Sequence, residues 1–222
     1  DLDGILELYS NPHITGFTTN PTLMRISGIS DYEKFSQHVL EHIPDRPISF
    51  EVFSDEFDEM ERQAHKIAKW GKNVYVKIPV TNTRRESSVG LVRRLADKGV
   101  QLNVTALMTL EQVSVVSKAL EDSVSSYISV FAGRIADTGR DPMPLMKAAV
   151  EIMSPFKTQE LIWASPRELL NIFHADEIGC HVITVTHDIL KKLALAGKDL
   201  NEYSLDTVKM FRNDALKAGY RL

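Results

Sequence analysis

The chain has 222 residues, a formal net charge of −4 and 43% hydrophobic residues, enough length and apolar content for one large globular domain with a substantial core. Acidic and basic residues are mixed along it, with no lysine/arginine-rich block of the kind that marks a nucleic-acid surface, no apolar run near membrane-span length and no visible signal peptide. Cys180 is the only cysteine, which excludes an intrachain disulfide and a cysteine-based zinc cluster and fits a reducing, cytoplasmic setting.

Short apolar runs alternate with amphipathic stretches. Residues 1–10 read as a helix and 13–17 as a strand. Then come helix 31–43, strand 48–53, helix 56–70 and strand 74–80. Helix 84–98 stops at Gly99, a normal C-terminal signal. Strand 101–105, helix 110–119, strand 127–131 and helix 143–153 follow. Strand 160–164 leads to helix 166–175, which opens on a proline near its first turn. Strand 181–185, helix 187–196 and a last helix, 205–216 after a polar turn, complete the chain.

Strands alternating with helices at this spacing predict βαβ units and a parallel sheet. Seven strands are counted, and the chain opens on a helix. An eighth strand, expected ahead of Asp1, would close a (β/α)8 barrel. An open doubly wound sheet is the competing architecture, but none of the eleven glycines forms the G-x-G-x-x-G turn of dinucleotide-binding sheets. No repeat or long linker interrupts the chain, so residues 1–222 read as one domain, with 201–222 a helical extension.

Lys77 stands out in Val74-Tyr75-Val76-Lys77-Ile78-Pro79. Lysine is among the side chains least often buried without a partner, and burial disfavours the charged form of an amine, leaving a nucleophile. A strand-edge lysine reaching water is the plain alternative. In barrel enzymes, however, the chemistry sits at the C-terminal strand ends. Here those ends carry Thr18-Thr19-Asn20-Pro21, Glu51, Lys77, Asn103 and Thr105, Ser129 before Gly133-Arg134, and Ser165-Pro166-Arg167. Strand period two puts Asn103 and Thr105 on one side, and likewise Ser129 and Phe131. Each has an ordinary reading as a turn, rim or surface residue. Together they predict polar groups converging on one mouth, the pattern of an active site.

These motifs resemble the transaldolase family, in particular its short members, which include the fructose-6-phosphate aldolases. The matching segments are Gly16-Phe17-Thr18-Thr19-Asn20-Pro21-Thr22-Leu23, Val76-Lys77-Ile78-Pro79-Val80-Thr81, Leu102-Asn103-Val104-Thr105, Ser129-Val130-Phe131-Ala132-Gly133-Arg134 and Ala164-Ser165-Pro166-Arg167, in family order across almost the whole chain. The resemblance implies a (β/α)8 barrel and a class I mechanism with no metal or other cofactor. It implies transfer of a dihydroxyacetone unit between sugar phosphates, as in the pentose phosphate pathway. By position it implies Lys77 as the Schiff-base lysine. Asn20 and Asn103 would hold the dihydroxyacetone moiety, and Glu51 with Thr105 a catalytic water. Ser129 would bind substrate, and Arg134, Ser165 and Arg167 would grip the phosphate.

Glu51 and Phe131 match the transaldolase branch; the aldolase branch has glutamine and tyrosine there. Phenylalanine cannot donate a hydrogen bond to help protonate an enamine, so transfer is expected ahead of simple aldol cleavage. A fructose-6-phosphate aldolase is the alternative within the family, and a catalytically silent sugar-phosphate-binding barrel the alternative outside catalysis. The family's acid/base aspartate would lie a few positions before Asp1, and neither Asp1 nor Asp3 takes its role. The last helix, with Leu205, Val208, Met210, Phe211, Leu216 and Tyr220, matches a helix that packs on a neighbouring subunit in the short members. That implies a homo-oligomer, a pentamer or decamer.

Overall fold

The computed structural model describes residues 2–221; Asp1, the first residue of the expected opening helix, lies outside them. The chain divides into two compact units, one running to Val185 and the other from Thr186. The first holds seven strands: β1 (Phe17–Thr18), β2 (Ile48–Glu51), β3 (Val74–Pro79), β4 (Leu102–Leu107), β5 (Ser126–Val130), β6 (Gln159–Trp163) and β7 (Val182–Ile183). They form one sheet in chain order, every neighbour parallel. Helices connect them: α1 (Leu2–Tyr9) ahead of β1, then α2 (Pro21–Ile26), α3 (Tyr32–His42), α4 (Phe57–Ala68), α5 (Val89–Asp97), α6 (Leu110–Leu120), α7 (Ala132–Ala136), α8 (Met143–Met153) and α9 (Leu170–Glu177). This is the curled strand–helix alternation of a (β/α) barrel, with seven strands among the described residues.

The register explains which face does what. In a parallel pair, residues in register present their side chains to the same face. Phe50, Val76 and Leu102 are in register, as are Ile78, Val104, Ile128 and Leu161. These face the helices and join Met60, Ala64, Leu95, Val116 and Met146 in one buried core. Each such side chain taken out of water contributes roughly 1.5–3 kcal/mol before entropy is counted. The other register row runs Glu51, Lys77, Asn103, Tyr127, so the strands turn their polar residues inward together.

Several boundaries differ from the sequence reading, for local reasons. The strand expected over 13–17 is confined to Phe17–Thr18. It is followed at once by α2, because the Asn20 side chain accepts from Leu23 N at 2.8 Å and Pro21 occupies the first turn. The helix expected from residue 84 begins at Val89. Residues 81–87 instead fold back, Thr81 bridging Ser87, with Arg84 held by Asp55, Glu56 and Glu86. Gly99 does sit beyond the helix end, at φ 77°. The helix expected from Pro166 starts at Leu170, and the short α7 after Phe131 was not expected.

The second unit contains α10 (His187–Lys191), a 3-10 turn (Lys192–Leu195) and α11 (Leu200–Ala218), so the helix expected over 187–196 changes type midway. α11 starts earlier than expected because the Asp199 carboxylate accepts from Asn201 N and Glu202 N. It ends at Gly219, left-handed at φ 69°. Among the described residues no helix is long and apolar enough to cross a membrane.

Candidate active site

Lys77 sits at the fourth position of β3, on the inner face, and only 6% of its surface is exposed. A buried ammonium requires charge and hydrogen-bond compensation. Both are present: Nζ lies 3.1 Å from Glu51 Oε2 and donates to the Thr19 main-chain oxygen at 2.9 Å. The parallel register of β2 and β3 sets Glu51 beside Lys77. The chain directly after β1 supplies the Thr19 carbonyl.

On the other side of Lys77, β4 presents Asn103 in register. Its amide is held at both ends: Nδ2 donates to Ser49 Oγ at 3.0 Å, and Oδ1 accepts from Ser129 Oγ at 2.7 Å. All three residues are buried. Two residues along, Thr105 is 2% exposed and its Oγ1 has no hydrogen-bond partner. A buried hydroxyl without a partner is rare, because the desolvation cost goes uncompensated. Beyond Thr105 the strand leaves its register, with Ala106 at φ 65°.

The basic residues lie past the strand ends. Arg134 is exposed on α7, its guanidinium carbon 6.0 Å from the centre of the half-buried Phe131 ring. Arg167 is exposed and paired side-on with Asp137: Nε to Oδ1 at 2.8 Å and Nη2 to Oδ2 at 2.6 Å. Its Nη1 donates to the Ser165 carbonyl at 3.1 Å. Three of the guanidinium's five N–H donors are therefore engaged, leaving two for a ligand. Ser165 is left-handed at φ 59°, and its carbonyl oxygen lies where a Cβ on residue 133 would be, 1.5 Å from that position. Only glycine fits there, so Gly133 is what lets α7 meet the loop carrying Arg167. Arg167 holds the Asp137 carboxyl below the usual carboxylate range by hydrogen bonding, and Asp137 in turn raises the guanidinium.

Asn20 is half-buried and spends its side-chain oxygen on capping α2. A cleft of about 440 Å³ opens beside Glu51, lined also by Pro21, Phe53, Pro79 and Thr83. The group formed by Glu51, Lys77, Asn103, Thr105 and Ser129 has one carboxylate and neither imidazole nor thiol, a poor donor set for a transition metal. Among the described residues the one grouping with metal-like spacing is His38, Glu41 and His42, all exposed on α3.

Residues 1–221 match the family model described as transaldolase/fructose-6-phosphate aldolase. The chain belongs to this family. It is 35% identical over 182 residues to a probable transaldolase of Dehalococcoides mccartyi, covering 81% of this chain and 80% of that protein. A probable transaldolase of a Thermoanaerobacter species is 30% identical over 223 residues, covering 100% and 96% of the two chains. Probable transaldolase 2 of Listeria monocytogenes is 35% identical over 181 residues, covering 81% and 78%. Membership makes the protein an enzyme of aldolase or transaldolase type.

The structure thus brings Glu51, Lys77, Asn103, Thr105 and Ser129 onto one buried inner surface, and puts Arg134, Ser165 and Arg167 around the tip of α7. Sequence reasoning missed Asp137, Ser49 and the Thr19 carbonyl. Asp137 offered a signal, a carboxylate three residues after Arg134 and so one helical turn on. The Thr19 carbonyl offered none, since main-chain groups are the same at every position.

Proposed function

We propose that the protein is a transaldolase acting through a Schiff base on Lys77. The observation that carries this reading is the Lys77 amine, buried on the inner face between the Glu51 carboxylate and the Thr19 carbonyl. In its neutral form the amine attacks the C2 carbonyl of a ketose phosphate, such as fructose 6-phosphate or sedoheptulose 7-phosphate. The carbinolamine loses water, and the C–N double bond forms as the C2 oxygen leaves. The protonated imine accepts the electron pair of the C3–C4 bond as it breaks. An aldose phosphate departs and the three-carbon unit stays on Lys77 as an enamine. Attack of that enamine on an aldehyde acceptor, followed by hydrolysis of the new imine, completes the transfer.

The proton transfers of carbinolamine formation and dehydration need a shuttle. A water accepting from the Thr105 hydroxyl and donating to Glu51 fits this role and supplies the partner that Thr105 lacks within the protein. Asn103, locked by Ser49 and Ser129, presents an amide of fixed orientation to the dihydroxyacetone hydroxyls, with Ser129 beside it and Asn20 at the end of β1. Arg134 and the two free donors of Arg167, with Ser165, hold the phosphate, and that remote grip orients the carbonyl for attack. The C4 hydroxyl gives up its proton to a base as the C3–C4 bond breaks. Phe131 has no hydroxyl with which to help protonate the enamine, which favours transfer over release of free dihydroxyacetone. The same reading includes a cytoplasmic enzyme assembled from several copies through α11, whose Leu205, Val208, Met210, Phe211 and Leu216 are exposed. A monomer by light scattering would exclude that assembly.

The test is borohydride reduction in the presence of fructose 6-phosphate. A stable adduct on the peptide containing Lys77 is expected, and erythrose 4-phosphate should then discharge the unreduced enamine into a seven-carbon product. An adduct without transfer to the acceptor would make the protein an aldolase; no adduct would leave a sugar-phosphate-binding barrel.

A further inference from the structure

Tyr32 opens α3 directly after its cap, Asp31, whose carboxylate accepts from Lys34 N. In the sequence it counts as one apolar position of an amphipathic helix. In the fold its ring is fixed by three aromatic neighbours: Phe53 with centroids 4.6 Å apart, Trp70 at 6.0 Å and Phe50 at 6.3 Å. This leaves the hydroxyl little freedom. It accepts from Glu51 N at 2.8 Å and donates to Glu51 O at 3.2 Å.

The reason is visible in the sheet. β1 ends at Thr18, paired with Ser49, and the last main-chain bond across that edge runs from Thr19 N to Ser49 O. Glu51 lies two residues beyond Ser49, so its N–H and C=O point to the same edge, where no strand remains. The Tyr32 hydroxyl substitutes for the missing strand. Burial pushes the phenol up to about 12, so it stays neutral and keeps both a proton to donate and lone pairs to accept.

The strand end held by this hydroxyl carries one of the two groups that hold the Lys77 amine. Thr19 contributes its main-chain oxygen from the end of β1 and Glu51 its carboxylate from the end of β2. We propose that Tyr32 is a positioning residue for the reaction at Lys77: its hydroxyl fixes the main chain at the end of β2 and so sets where the Glu51 carboxylate stands beside the amine. The inference rests on the Schiff-base reading above and adds to it a residue that touches neither substrate nor amine.

Tyr32→Phe is the direct test, because it keeps the ring packing and removes only the hydroxyl. The rate of borohydride trapping with fructose 6-phosphate, and kcat for transfer, should fall about tenfold, the size of one net hydrogen bond expressed in the transition state. KM should stay within about twofold, because the phosphate grip is untouched. In a Glu51→Ala background the same substitution should change the rate about twofold or less, since the carboxylate it positions is gone. A merely structural role would give the same factor in both backgrounds and would overturn the inference. In the unsubstituted protein the Glu51 amide should exchange hydrogen slowly although it faces no strand; rapid exchange there would also overturn it. Adducts forming equally fast in Tyr32→Phe and the unsubstituted protein would sink this inference alone. No adduct in the unsubstituted protein would sink the Schiff-base reading first, and this inference with it.

Discussion

The two faces of strands β2 to β5 are built from alternate residues of the same segments, yet they answer to different rules. On the helix side, Phe50, Val76, Leu102 and Val104 are buried against apolar neighbours, and each contributes by leaving water. On the inner side, Glu51, Lys77, Asn103 and Ser129 leave water too, but each must be matched by a specific partner at hydrogen-bond distance. The outer face tolerates any well-packed apolar set. The inner face has far fewer solutions, and Thr105, with its unmatched hydroxyl, marks where its own partners stop. The difference sets an apolar face and a partner-matched polar face on opposite sides of one backbone, one residue apart.

Substitutions on the two faces should separate cleanly. The largest effect is expected from Lys77→Met, which removes the amine: activity should drop by about 10⁴-fold or more, with the far-ultraviolet circular dichroism unchanged. Comparable loss of helix signal and activity would merge the two faces and break the distinction. On the other side of the strand, Phe50→Ala should cost about 3–5 kcal/mol in stability, read from denaturant midpoints. The fraction that remains folded should still form the borohydride adduct.

A smaller effect is expected at the rim. Arg167→Ala should raise KM for fructose 6-phosphate by roughly tenfold, the loss of charge-assisted hydrogen bonds to phosphate. Trapping of unphosphorylated dihydroxyacetone should not change. The Arg167–Asp137 pair is exposed, unlike Lys77–Glu51, so salt should weaken it. Its pH response has a definite sign. Pairing depresses the folded-state Asp137 carboxyl below its unfolded value. Its contribution is therefore present above the unfolded value and lost as pH falls through the depressed folded one. The Arg167 Nε resonance should stay constant on acidification from neutral pH and move only at the acid end; movement near neutrality would contradict the pairing. The smallest effect is expected from Phe131→Tyr, which restores a hydroxyl donor. Release of free dihydroxyacetone without acceptor should rise by roughly threefold. No rise would remove Phe131 as the reason for transfer.

Much of this was readable before any coordinates. Period-two runs and capping residues are local signals, so the alternation of strands and helices was legible, as was α8 to its end residues. The inner-face row was legible because polar residues interrupt apolar strands at Glu51, Lys77 and Asn103. The turn over 81–87 was not, since it depends on Arg84 reaching carboxylates about 28 residues away. Nor was the engagement of Arg167, because an arginine in a sequence does not reveal which of its donors are already taken.

The order of residues by itself determined the seven strands, their alternation and the presence of an amine where a strand should be dry. These follow from spacing along the chain, which needs no third dimension. Only the tertiary structure decided that the amine lies between Glu51 and Thr19, that Tyr32 closes the edge beside them, and that Asp137 occupies one side of Arg167. Each of these joins groups from separate elements, and a hydrogen bond is set by distance and angle in space.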